Sequence, residues 1–176
     1  MEEKISFRKL ELSDMELLHK WLNTDFVKDF YGKGSTLDEV EKKYSKYVKK
    51  EAPTDAYIIQ IDNNDVGYIQ TYLICDYPDY NKYIETDEHS AGLDLYIGEK
   101  DYFHKGYGKH IIKKFLEEII FSNSEINDCI LGPEPSNIVA IKTYSNVGFK
   151  YIKTVQVSDE EEPEYIMKIT REDMKL

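Results

Sequence analysis

Apolar and polar positions alternate along this chain in two clear periods, and those periods predict its elements. Residues 5–10 read as an opening strand. Ser13 and Glu16 stand three apart as a capping-box pair, ahead of Met15, Leu17, Leu18, Trp21 and Leu22 at helical spacing. Thr36 and Glu39 repeat that device before Leu37, Val40, Tyr44 and Tyr47. Residues 56–61 and 66–74 read as a hairpin around Asn63-Asn64-Asp65. Residues 76–90 read as a polar loop carrying Asp76, Asp79, Glu85, Asp87 and Glu88. Residues 92–98 predict a strand. Residues 107–121 predict a strong helix burying Ile111, Ile112, Phe115, Leu116, Ile119 and Ile120. A short strand at 129–131 precedes a helix over 137–146, with Ser136 as its cap and Gly148 at its end. Residues 149–157 and 164–169 predict a closing pair of strands joined by the acidic run Asp159 to Glu162. The order β-α-α-β-β-β-α-β-α-β-β predicts a single α+β domain over residues 1–176. Its mixed sheet carries helices on both faces and is not doubly wound.

Composition narrows what such a domain binds. The 176 residues are 41% apolar and 32% charged, ordinary for a chain with a proper core. Fifteen tyrosines point to a half-polar cleft as well as a core. The net charge of −11 argues against nucleic acid as a partner and favours a cationic small molecule. Cys75 and Cys129 are too few for a disulfide framework, so a reducing cytoplasm is expected. The start Met1-Glu2-Glu3-Lys4 has no apolar stretch of a signal peptide, and no apolar run is long enough to span a membrane.

Candidate chemistry concentrates in three places. His104-Lys105-Gly106-Tyr107-Gly108-Lys109 opens the strong helix, where glycines permit positive φ and close approach, and the helix start offers N–H groups to a phosphate. Lys100, Lys105, Lys109, Lys113 and Lys114 make this spot basic in an acidic chain. It is neither a nucleotide P-loop nor a dinucleotide fingerprint. Asn137, Ala140 and Tyr144 share one helix face, with Ile138 and Ile141 placed to anchor it. Asp94 stands in mid-strand with Tyr96 on its face, opposite Leu93, Leu95 and Ile97, which read as core. Asp94 is then directed to a cleft or solvent, where partial burial would make it a useful base. No metal constellation and no nucleophile triad can be read from the spacing.

The strand at 92–98, the Lys105-Gly106-Tyr107-Gly108 loop and the segment Asn137 through Tyr144 to Gly148-Phe149 resemble the GNAT acyl-CoA N-acetyltransferases. Gly92-Leu93-Asp94, Pro133-Glu134-Pro135-Ser136-Asn137 and Ala140 to Phe149 are most similar to the aminoglycoside 6′-N-acetyltransferases within it. The early segments 39–47 and 66–70 are also similar. The resemblance implies a mixed, mostly antiparallel sheet with a V-shaped split that takes acetyl-CoA as co-substrate, with no metal. Tyr96 and Ile97 would pair with the pantetheine arm through their backbones. His104, Lys105, Gly106, Tyr107, Gly108 and Lys109 would hold the pyrophosphate, and Asn137 and Ala140 would line the channel. Asp94 would be the base, Tyr144 the acid that protonates the thiolate, and Asp94, Glu134 and Glu161 would meet the cationic acceptor. Two positions depart from the pattern. Phe103 stands where many members carry Arg or Gln. Gly132 stands where the aminoglycoside enzymes tend to carry an acid. The same resemblance admits another acceptor, such as a siderophore hydroxylamine, a polyamine or a protein N-terminus. It also admits a CoA-binding protein without catalysis. The expected assembly is a monomer or homodimer.

Overall fold

A computed structural model describes residues 3–31 and 34–176; Met1 and Glu2 of the N-terminal reading lie outside them. Among the described residues the strands are β1 (Ile5–Lys9), β2 (Thr54–Ile61), β3 (Asn64–Leu73), β4 (Ser90–Ile97), β5 (Asp128–Leu131), β6 (Lys150–Val155) and β7 (Glu164–Thr170). The helices are α1 (Met15–Leu22), α2 (Asp25–Tyr31), α3 (Leu37–Val48), α4 (Pro78–Ile84), α5 (Tyr107–Phe115) and α6 (Ile138–Val147). One sheet runs in the order β1-β2-β3-β4-β5-β7-β6. It is mixed and mostly antiparallel, as expected: β1 with β2, β5 with β7 and β6 with β7 are antiparallel, while β4 and β5 are parallel. The chain forms two compact units, residues 1–71 with 94–107, and residues 72–93 with 108–176.

In the first unit, Leu18, Trp21, Val27, Val40, Tyr44, Ile58, Tyr68 and Tyr96 form a buried core. The α3 start matches its prediction: Thr36 accepts from the Glu39 N–H at 3.3 Å, and Glu39 accepts from the Thr36 N–H at 2.8 Å. The α1 start does not. A 3-10 turn, Leu12–Asp14, precedes it, and the side chain reaching back is Asp14, which accepts from the Glu11 N–H at 2.9 Å. Two Arg8 N–H groups at 2.8 Å hold this buried carboxylate in place, so Asp14 rather than Glu16 fixes the turn. The hairpin turn is Asp62-Asn63, one residue earlier than read, with φ of 49° and 65°. Helix α2 escapes the periodicity because it buries only Val27.

The second unit corrects the polar loop. Pro78 sits in the first turn of α4 and Ile84 is buried beneath it. Ile74, Ile84, Ile130 and Ile166 form a small core against which Tyr72, Tyr80 and Tyr83 pack. The strong helix is α-helical to Phe115 and continues as a π turn, Leu116–Ile120, which keeps Leu116 and Ile120 buried. Asn137, not Ser136, caps α6: its side-chain oxygen accepts from the Ala140 N–H at 3.2 Å. Gly148 ends α6 at φ 124°, as expected. Ile138 does not anchor the helix, being 65% exposed, whereas Ile141 is half-buried.

Candidate functional site

The predicted residues fall into two groups, one in each unit. In the first, Asp94 lies on β4, two residues beyond the Ser90 to Gly92 stretch that registers with β5. It is half-buried, and one carboxylate oxygen accepts from the Gln70 side-chain amide at 2.8 Å. The Gln70 carbonyl accepts from the Tyr68 hydroxyl at 2.6 Å. Tyr68 and Gln70 are two apart on β3 and so share a face. The hydroxyl therefore fixes which end of the amide meets Asp94. Neither residue was found from sequence, because nothing in a strand pattern says which amide faces which carboxylate.

Period-two alternation placed Asp94 and Tyr96 on one face correctly, but that face is not an open one. Tyr96 is only 7% exposed, while Leu95 and Ile97, expected as core, are half-buried. Tyr96 stacks on Tyr68 with centroids 5.5 Å apart and meets Tyr31 edge-on at 4.6 Å. Tyr44 meets Tyr68 edge-on at 5.3 Å. Burial pushes the Tyr31, Tyr44 and Tyr68 phenols above their ordinary range, and the negative charge of Asp94 pushes them further. They stay neutral, so Asp94 sits among phenols and the Gln70 amide. The Tyr96 hydroxyl is buried with no hydrogen-bond partner among the described residues.

The phosphate loop behaves in two ways. His104 and Gly106 take φ of 56° and 87°. A Cβ on Gly106 would meet nothing within 4 Å, so the turn presents backbone to open space. Gly108 does not share this role. A Cβ there would lie 3.2 Å from Cγ2 of Thr143, so this glycine lets the start of α5 approach α6. Phe103, where the family pattern differs, packs on Phe26 at 4.7 Å and on the His104 ring at 3.9 Å. A hydrogen bond to Glu3 raises the Tyr107 phenol to about 12. Lys105 and Lys109 are exposed, whereas Lys113 and Lys114 pair with Glu117 and Glu118 along the helix. Those pairs reduce the basic island expected from the sequence.

In the second unit, Asn137, Ala140 and Tyr144 are all half-buried on α6, with the Tyr144 ring 6.1 Å from Phe149. The Asn137 side-chain carbonyl is engaged in the cap, and its NH2 end takes no part in that bond. Glu134 is half-buried. Burial and then Glu162 push its carboxyl above the usual range; Ser136 opposes this and Glu160 adds to it. Glu161 is exposed. Glu164, unmarked in the sequence, stands against Gly132: a Cβ on Gly132 would fall 2.4 Å from its Oε2. Among the described residues no group of three or more His, Cys, Asp or Glu could hold a metal.

Comparison with known proteins follows the same lines. Residues 11–157 match the model of the acetyltransferase (GNAT) domain. Aminoglycoside N(6′)-acetyltransferase type 1 of Klebsiella pneumoniae is 27% identical over 160 residues, 89% of this chain and 79% of that protein. A kanamycin resistance protein of Rhizobium radiobacter is 32% identical over 75 residues, 43% of this chain and 68% of its own. The solved structure of aminoglycoside acetyltransferase AAC(6′)-Ib in complex with coenzyme A and kanamycin superposes with a TM-score of 0.88 at 25% identity, covering 98% of both chains. Spermidine N-acetyltransferase from Vibrio cholerae, with CoA and spermine, shares the fold at a TM-score of 0.76 and 17% identity over 98% of both chains.

Proposed function

The chain belongs to the GNAT acetyltransferase family, and from that premise we propose that it moves an acetyl group from acetyl-CoA to a primary amine, the 6′-amino group of an aminoglycoside. The observation that carries this reading is the fixed carboxylate of Asp94, held by Gln70 within a neutral shell. An amine is protonated at neutral pH and cannot attack until a base removes its proton. Asp94 is that base, directly or through one water. The freed nitrogen attacks the thioester carbonyl, and backbone N–H groups of β4 stabilise the oxyanion. The C–N bond forms, the C–S bond breaks, and Tyr144 gives its proton to the departing thiolate. No acyl-enzyme is formed.

Acetyl-CoA fits the residues present. Tyr96 and Ile97 offer their backbones to the pantetheine arm. The turn at Gly106, open where a side chain would be, suits a phosphate that needs backbone N–H groups at close range, with Lys105 and Lys109 beside it. Asn137 and Ala140 line the arm's path. The −11 charge and the acidic surroundings of Glu134 favour a polycationic acceptor. The AAC(6′)-Ib complex with kanamycin supports the same choice. Among the described residues neither Cys75 nor Cys129 is in a disulfide, in keeping with the cytoplasm, and no helix is long and apolar enough to cross a membrane. The test is thiol release from acetyl-CoA against aminoglycosides, polyamines and peptides. Release with kanamycin-type amines is expected. Release with polyamines or peptides alone would move the acceptor, and no release with any amine would remove the activity.

A further inference from the structure

We propose that Glu164 is an acceptor-binding residue, supplying from β7 the carboxylate that holds an ammonium group of the substrate in the space left by Gly132. The inference rests on the aminoglycoside reading above and adds a residue to it. Gly132 directly follows β5, and β5 pairs with β7 through Leu131 and Met167. Just beyond, the Tyr165 N–H donates to the Pro133 carbonyl at 2.8 Å, which ties the start of β7 to the segment after Gly132. Glu164 is thereby fixed beside residue 132. A Cβ at 132 would lie 2.4 Å from Glu164 Oε2, 3.0 Å from Ile166 Cδ1 and 3.2 Å from Glu164 Cβ. The glycine and the glutamate therefore make one arrangement: any side chain at 132 would occupy the carboxylate's own place.

The carboxylate is also aimed. The Tyr80 hydroxyl donates to the same Oε2 at 2.7 Å. Tyr80 stands on α4, packed against Ile74, Ile84, Ile130 and Ile166, so the donor is held by a core rather than by a loose loop. A phenol fixes the carboxylate's position and leaves its charge in place. Two residues past Gly132, Glu134 feels the charges of Glu162 and Glu160, both negative. A carboxylate fixed in this way, in a chain of net charge −11, is suited to a cation, and a polycationic acceptor supplies one.

A docking role for α4 alone would also use the Tyr80 bond, so the test must remove charge and keep shape. Glu164→Gln retains an oxygen for Tyr80. Steady-state thiol release with a kanamycin-type acceptor should show its KM raised about tenfold or more, the weight of one charge-assisted hydrogen bond, with kcat within about threefold. CoA affinity by calorimetry should be unchanged. A second pair carries the question if Glu164→Gln does not fold. Gly132→Asp with Glu164→Ala moves the carboxylate to the residue after β5 and should recover acceptor affinity, while Gly132→Asn with Glu164→Ala should not. An unchanged KM in Glu164→Gln, or equal KM values for the Asp and Asn pair, overturns the inference and leaves the acetyltransferase reading standing. A wild type that acetylates no amine takes both down together.

Discussion

Asp94 and Glu164 are both half-buried carboxylates on sheet strands, yet they are held in opposite ways. Asp94 accepts from an amide whose orientation is set by Tyr68, inside a shell of phenols kept neutral by burial. Glu164 accepts from the Tyr80 phenol and stands against Gly132, two residues before Glu134, a carboxyl that feels the charges of Glu162 and Glu160. A group that exchanges a proton needs neutral, fixed neighbours, so that its affinity for the proton is set by few terms. A group that holds a cation gains from extra negative charge around it. The difference supports the proposal of base work for the first and substrate holding for the second. It is broken most directly at Asp94. Asp94→Asn keeps the hydrogen-bonding shape and removes the base, and turnover should fall about 10³-fold with CoA affinity retained. Thiol release together with calorimetry checks both halves. Turnover at the wild-type rate would take Asp94 out of the mechanism.

Tyr144→Phe comes next. Removing the acid of the proposed mechanism should lower kcat about ten- to a hundredfold with the acceptor KM little changed, because the phenol would act on the departing thiolate. A change confined to KM would make Tyr144 a binding residue. Tyr68→Phe should cost less, about tenfold in kcat. It removes no reacting group but frees Gln70 to turn its carbonyl toward Asp94, which raises that carboxyl's affinity for a proton. The kcat–pH profile should therefore shift its acidic limb upward in Tyr68→Phe. A fall in rate with an unmoved limb would leave Tyr68 with packing alone.

Sequence legibility divides along the same line. The loop at Gly106 and the carboxylate in mid-strand were visible because each breaks a local rule: glycine at a helix start, and Asp among apolar strand residues. What surrounds them was not visible. Alternation puts Tyr96 beside Asp94 but cannot tell an open face from one roofed by Tyr31 and Tyr44, which come from distant helices. Gly106 and Gly108 look alike in sequence, and only Thr143, thirty-five residues on from Gly108, separates the one open to space from the helix-packing one. Ser136 and Asn137 can each cap α6, and the choice is made by geometry alone. Helices α2 and α4 bury one residue apiece, too little for a period to register. Glu164 reads as the first residue of a strand. Its position over Gly132 is decided by pairing across β5 and β7.

The smallest effect sharpens the acidic side of the comparison. The Glu134 carboxyl lies above its ordinary value of 4.5 through burial first and Glu162 next. An acid whose folded pKa is raised costs stability wherever the fold holds it ionised. The cost is absent below the unfolded value, where both states are protonated, and complete above the raised one. Glu134→Gln should therefore raise Tm at pH 7 and leave it almost unchanged at pH 4, read by thermal unfolding at both. The same substitution should raise the acceptor KM while sparing kcat, since the charge that burdens the fold is the charge the cation uses. A Tm gain of equal size at pH 4 and pH 7 would mean that Glu134 acts through shape and not charge. The contrast with Asp94 would then rest on Glu164 alone.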